Sequence, residues 1–135
     1  MKKLFSSNYS AGAFNTAMLV LRLGLGILMI NHGYDKLTHF NQYSQQFMNF
    51  LGMGAKMSLA LVVFAEFFCS LFLILGLFTR LATIPLIVTM CVALFKAHNG
   101  DVLGDGQTAA LFLTGYIALL LTGPGKISVD SMIGK

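Results

Sequence analysis

Four apolar stretches fill most of the 135-residue chain, and each approaches the length a helix needs to cross a lipid bilayer. A hydrocarbon core of about 30 Å takes around 20 apolar residues per helix, so four spans and their loops use up the chain. Only 10% of the residues are charged, far below the roughly one quarter of soluble domains. With 56% hydrophobic residues and a mean hydropathy of +0.77, the expectation is an all-α integral membrane protein forming a single domain over residues 1–135.

The spans read as residues 15–36, 57–78, 81–97 and 107–122, packed as a four-helix bundle. Gly76 is a helix-stop signal after the second span. Thr79 and Arg80 then turn the chain directly into the third, where Pro85 falls within the opening turns. Gly123-Pro124-Gly125 cannot continue a helix and closes the fourth. Between the first two spans, Phe40, Tyr43, Phe47, Phe50 and Leu51 recur at helical spacing among Asn, Gln and Ser, which predicts a short amphipathic helix at the membrane surface. The small residues Ala11-Gly12-Ala13 precede the first apolar run instead of following it, so this span is expected to remain as a helix and not to be cleaved as a signal.

Basic residues near the span ends set the expected orientation. Lys2, Lys3, Arg80, Lys126 and Lys135 gather on one side, whereas Lys36, Lys56 and Lys96 on the other are offset by Asp35, Asp101 and Asp105. The first side is expected in the cytoplasm of a bacterial cell, with both termini, and the loops 37–56 and 98–106 face out. The pI of 9.3 comes from these scattered lysines and arginines, with no basic patch interleaved with aromatics, so nucleic acid is not an implied partner. Cys69 and Cys91 sit inside apolar stretches without a CxxC spacing and read as buried small hydrophobes.

Arg22 and Glu66 stand inside spans that otherwise avoid charge. A charge in the hydrocarbon core costs about 3 kcal/mol on insertion scales and usually has a partner within the bundle. At about 1.5 Å per residue, each lies roughly 13 Å in from the opposite ends of two antiparallel helices, which predicts a direct Arg22–Glu66 salt bridge. At about 100° per residue, Arg22, Gly26, Met29, Gly33 and Lys36 share one helix face, with His32 on its flank. Lys96 and His98 end the third span at the same outer depth as His32 and Lys36, so four basic or titratable side chains are expected to ring an outer mouth. That ring above a buried acid, lined by Met29, Met90 and phenylalanines, suits a flat amphiphile with carbonyl or anionic oxygens, such as a quinone head group.

The same residues carry a resemblance to the DoxX family of small membrane proteins. Arg22 with Gly24 and Gly26, His32-Gly33 followed by Lys36-Leu37, Glu66, Gly76-Leu77-Phe78-Thr79-Arg80, and Gly123-Pro124-Gly125 leading to Ser128-Val129-Asp130 resemble that family's pattern in order. The resemblance implies a four-helix membrane protein, some relatives being subunits of a thiosulfate:quinone oxidoreductase and others working in membrane redox or stress complexes. It also implies Arg22, His32, Lys36 and Glu66 as site residues, whereas Lys96 and His98 rest on depth alone.

The leading functional expectation is a quinone- or small-molecule-binding subunit that draws electrons from a soluble or membrane redox partner, because the chain has no flavin or nucleotide motif. A non-enzymatic transporter or an assembly or export helper, working as a homodimer, is the second reading. A haem or metal protein with His32 and His98 as axial ligands is the third.

Overall fold

The computed structural model describes residues 2–45, 47–97, 100, 103–104 and 106–134. Among these residues the regular structure is helical, with no strand. The helix α1 runs Ala11–Thr38, starting four residues earlier than the hydropathy pattern suggests because the Ser10 hydroxyl caps it by accepting from the Ala13 amide at 3.0 Å. Its buried residues are Arg22, Gly26, Met29 and Gly33, the face that helical periodicity picks out.

The connector forms a shorter helix than the aromatic spacing over residues 40–51 suggests. A short helix α2, Phe40–Ser44, stops where the Ser44 hydroxyl bonds back to the Asn41 carbonyl at 2.9 Å. The chain then turns Phe47 and Met48 inward, and a single 3-10 turn, Phe50–Gly52, places Leu51 at a positive φ of 53°. Glycines 52 and 54 also take positive φ, so this segment bends where a continuous helix would run straight.

The helix α3 spans Ala55–Leu75 and carries a π-helical stretch, Phe64–Cys69, at its centre. It ends at Gly76 in the left-handed conformation, φ 72°, with the Leu77 amide bonded to the Phe72 carbonyl and the Gly76 amide to that of Leu73. That pattern is the Schellman stop, for which glycine is the favoured residue. The helix α4, Thr79–Val92, follows at once and runs into a second π-helical stretch, Ala93–Ala97. The helix α5 occupies Gln107–Thr122, the predicted bounds, and a short α6, Val129–Gly134, closes the chain.

Two of these helices, α1 and α3, are long and apolar enough to cross a membrane; α4 and α5 are shorter apolar helices. They lie side by side because small residues let backbones approach. A methyl group on Gly26 would meet the Ser70 carbonyl at 3.1 Å, and one on Gly115 would meet Leu25 at 2.8 Å. Inside, Met29, Cys69, Leu73, Leu86, Met90, Phe112, Tyr116 and Leu119 form one buried cluster. Outside, Val20, Leu28, Phe64, Leu75, Leu111 and Leu121 are exposed, an apolar periphery fit for lipid and ill fit for water.

Candidate functional site: a buried ion pair at the head of a cavity

Glu66 sits in the π-helical stretch of α3, where the wider turn departs from the regular i to i−4 ladder and re-aims the side chains on it. Such single π-turns occur disproportionately at functional positions. The carboxylate meets the Lys36 ammonium from α1, Nζ to Oε1 at 2.6 Å, with the Glu66 side chain 6% exposed and that of Lys36 24% exposed. Gly33 makes the meeting possible. A methyl group there would lie 2.6 Å from the Phe67 amide nitrogen and 2.7 Å from the Glu66 carbonyl carbon, so only glycine lets α1 approach α3 this closely, one turn before Lys36.

Beyond the pair opens a cavity of about 330 Å³, within the range of small-molecule sites. Its walls come from α3 and α4, including Val62 and Val88, and from Phe47 and Met48 of the connector. Apart from Lys36 and Glu66, the polar side chains at its wall are Ser58 and Thr89. Ser58 donates to the Gly54 carbonyl at 2.7 Å and Thr89 to the Pro85 carbonyl at 2.8 Å, so both hydroxyls serve their own helices. An occupant with an apolar body and one polar end fits: the body against valines, Phe47 and Met48, the polar end at the ion pair. Phe47 belongs to the aromatic spacing visible in the sequence; Ser58 and Thr89 carry no signal that would single them out.

The predicted Arg22–Glu66 bridge is not formed. Arg22 lies at the other end of α3, where its Nη1 donates to the Leu73 and Ile74 carbonyls at 3.1 and 3.5 Å, its Nε to the Pro124 carbonyl at 3.1 Å and its Nη2 to the Ile127 carbonyl. The reason is axial offset. Gly26 faces Ser70 and Gly33 faces Glu66, so Glu66 stands opposite a point roughly 16 Å further along α1 than Arg22. The depth estimate took the inner ends of the two helices as level, whereas α1 projects past Leu75 to pack against the C-terminal segment. There the Lys126 amide donates to the Asn15 side chain at 3.0 Å.

That segment is tied down again by Asp130, whose carboxylate accepts the Phe78 and Thr79 amides at 2.7 and 2.9 Å. It caps the N-terminus of α4 from a distant part of the chain, and its own amide donates to the Gly76 carbonyl at 2.8 Å. Arg22 is therefore a clasp between the end of α3 and the C-terminal segment.

His32 is exposed on α1 and sits edge-on to the Phe112 ring of α5, centroids 6.4 Å apart, outside the cavity lining. Lys96 belongs to the second π-helical stretch, of which only the backbone is described at this point. His98, Asp101 and Asp105 lie outside the described residues. Of the expected site residues, the structure thus joins Lys36 with Glu66, sets His32 to one side and places Arg22 at the far end. Among the described residues no three His, Cys, Asp or Glu side chains gather as metal ligands.

On the exposed end of α1, Tyr43 donates to the Asp35 carboxylate at 2.6 Å, joining α2 to α1. That bond, formed only by the protonated phenol, raises the Tyr43 hydroxyl above its ordinary value.

The sequence model of the DoxX family matches residues 17–99. The chain is 28% identical to inner membrane protein YqjF of Escherichia coli, over 90% of this chain and 95% of that protein. It is 31% identical to inner membrane protein YphA of the same organism, over 84% and 87% of the two chains. It is also 28% identical to the uncharacterized membrane protein Rv3486 of Mycobacterium tuberculosis, over 88% of this chain and 82% of that protein. No solved structure matches.

Proposed function

This chain belongs to the DoxX family of membrane proteins, and from that premise and its cavity we propose that it binds a quinone-like amphiphile as the membrane subunit of a redox system. The observation that carries the reading is the Lys36–Glu66 pair, 2.6 Å apart, with a buried carboxylate and a half-buried ammonium, at the head of an otherwise apolar cavity. A buried ion pair adds little to stability compared with apolar residues of the same size, so its presence beside an empty volume calls for a role. Lys36 supplies hydrogen-bond donors and positive charge for a carbonyl or anionic oxygen, and Glu66 accepts or returns a proton as that oxygen changes charge.

In this reading the chain is multi-pass, with all four apolar helices crossing the inner membrane, both termini cytoplasmic and the cavity at the outer end. The excess of basic residues around the termini and Arg80 supports that orientation. The chain has no nucleotide or flavin motif, so a partner supplies or takes the electrons.

Native mass spectrometry of the protein in mild detergent, with lipid extraction, tests the reading. A quinone is expected to co-purify with the wild type and to be lost in Lys36→Met and Glu66→Gln, while His32→Ala retains it. Wild type free of any quinone, and unable to take up added quinone, refutes the proposal.

A further inference from the structure

The cavity beside Lys36 and Glu66 is graded in exposure. Its wall includes Ser58, Leu61 and Glu66 on α3 and Val88 and Thr89 on α4. Ser58 and Glu66 are buried, whereas Leu61 is 48% and Val88 51% exposed. Helical spacing tells where these two side chains point. Leu61 stands between Met57 and Phe64, both exposed, on the outward face of α3; Val88 follows Leu81 and Ile84, both exposed, at steps of three and four on the outward face of α4. Leu61 and Val88 therefore belong at once to the cavity wall and to the apolar periphery, and the cavity opens sideways between them. Their neighbours in both stripes are apolar, so the opening faces lipid. The connector, which leads into the start of α3, walls the cavity with Phe47 and Met48, both half-buried.

We propose that the cleft between Leu61 and Val88 is a lateral entrance from the bilayer, and that the ligand is a tailed amphiphile. Its head group reaches the Lys36–Glu66 pair while its hydrocarbon tail stays in the cleft and the lipid beyond. This rests on the reading of the cavity as a ligand site, with α3 and α4 both crossing the membrane, and deepens it by fixing the substrate class and its route. The cavity volume points to the same class. At about 330 Å³ it lies near the lower end of small-molecule sites, which run from about 300 to 1,000 Å³, so it holds a ring-sized head group and not a long chain as well. The tail must leave. Led out past Phe47 and Met48 it would enter water, and each methylene would forgo its burial. Led between Leu61 and Val88 it keeps an apolar surrounding throughout. The site then draws on molecules dissolved in the membrane, and a head group without a tail binds more weakly than the same head group with one.

Two quinones test the route: tetramethylbenzoquinone, a head group alone, and the same ring with a decyl chain in place of one methyl group. A version of the decyl quinone carries a photoreactive diazirine near the ring end of its chain. With the wild type in phosphatidylcholine nanodiscs, irradiation is expected to label α3 and α4 beside Leu61 and Val88, and excess decyl quinone to suppress the labelling. Label on Phe47 or Met48 in place of the rim overturns the lateral route, as does labelling that excess decyl quinone leaves unchanged. Leu61→Trp and Val88→Trp narrow the entrance from half-exposed positions. Affinity for the decyl quinone is expected to fall roughly tenfold or more in each, with tetramethylbenzoquinone held to within about threefold of wild type, because only the chain loses its seat against the rim. Rim variants that bind both quinones as the wild type does, or that lose both equally, overturn the route. The wild-type labelling decides alone if a rim variant does not fold. If the wild type binds tetramethylbenzoquinone and the decyl chain labels Phe47, the site stands and the route falls; a wild type that binds neither quinone removes the ligand reading of the cavity itself.

Discussion

The replacement Gly33→Ala perturbs the site without touching either charged group. A methyl group at this position would lie 2.6, 2.7 and 2.8 Å from the Phe67 nitrogen, the Glu66 carbonyl carbon and the Phe67 Cα, all backbone atoms that no rotamer change can move. Ordinary contact begins at 3.4 Å, so α1 and α3 must part locally by about 0.8 Å. Lys36, one turn further along α1, is carried outward, and its 2.6 Å contact with Glu66 opens to beyond good hydrogen-bond length. Overpacking of this kind costs about 1–3 kcal/mol, against which alanine's better helix propensity returns about 1 kcal/mol. The expected net loss is about 0–2 kcal/mol. Gly24→Ala supplies the control, because a methyl group there meets nothing within 4 Å. Thermal unfolding in detergent is expected to rank Gly24→Ala at or slightly above wild type and Gly33→Ala below it, with quinone retention reduced only in Gly33→Ala. Equal stability and equal retention in the two variants would refute the argument that close approach at Gly33 builds the pair.

Arg22→Met strips donors from the carbonyls of Leu73, Ile74, Pro124 and Ile127 together, so a loss of about 2–4 kcal/mol is expected, with proteolytic cleavage near residues 123–130 as the direct reading. Asp130→Ala removes the cap from the Phe78 and Thr79 amides and is expected to lower stability by about 1 kcal/mol in the same unfolding assay, while quinone retention stays as in the wild type. Tyr43 is held protonated by Asp35, so its bond across the connector is fully present below the ordinary tyrosine value and is lost as pH rises through the raised one. Its phenolate absorbance is expected to appear at higher pH in the wild type than in Asp35→Asn, and identical titrations would refute the contact.

Helical periodicity is a rotational measurement, and it was enough to place Arg22, Gly26, Met29 and Gly33 on the buried face of α1. The offset between two helices along their axes is a different quantity, set by contacts between residues distant in the chain. Arg22 and Glu66 were for this reason paired wrongly from depth alone: the offset depends on where Gly26 and Gly33 meet α3, and on the C-terminal segment that fills the space beside the start of α1. The Gly76 stop and the Gly123-Pro124-Gly125 end were legible because each is a local backbone requirement; Gly76, Gly123 and Gly125 all take positive φ. The π-helical stretch at Phe64–Cys69 had no such local signature, since neither glycine nor proline occurs in Phe-Ala-Glu-Phe-Phe-Cys. The connector misled for the opposite reason, its helical spacing being real but interrupted by Ser44 and the glycines that follow.

The residues that carry the family resemblance divide between the two ends of the molecule, and their hydrogen-bond saturation separates their roles. Each guanidinium nitrogen of Arg22 donates to a backbone carbonyl, so binding anything else would release the end of α3 or the C-terminal segment. Gly76 and Asp130 belong to the same knot, through the Schellman stop and the cap on α4. Lys36 is different: its ammonium has three donors, and among the described residues one carboxylate oxygen accepts from it. It lies beside open volume and can take a second acceptor without unfolding anything. In the proposed reading, charge in this apolar chain serves in two ways, as fixed backbone capping at Arg22 and as a pair open to a further acceptor at Lys36 and Glu66. Substitutions at the first end are expected to change stability at constant affinity, and those at the second to change affinity beyond what stability explains.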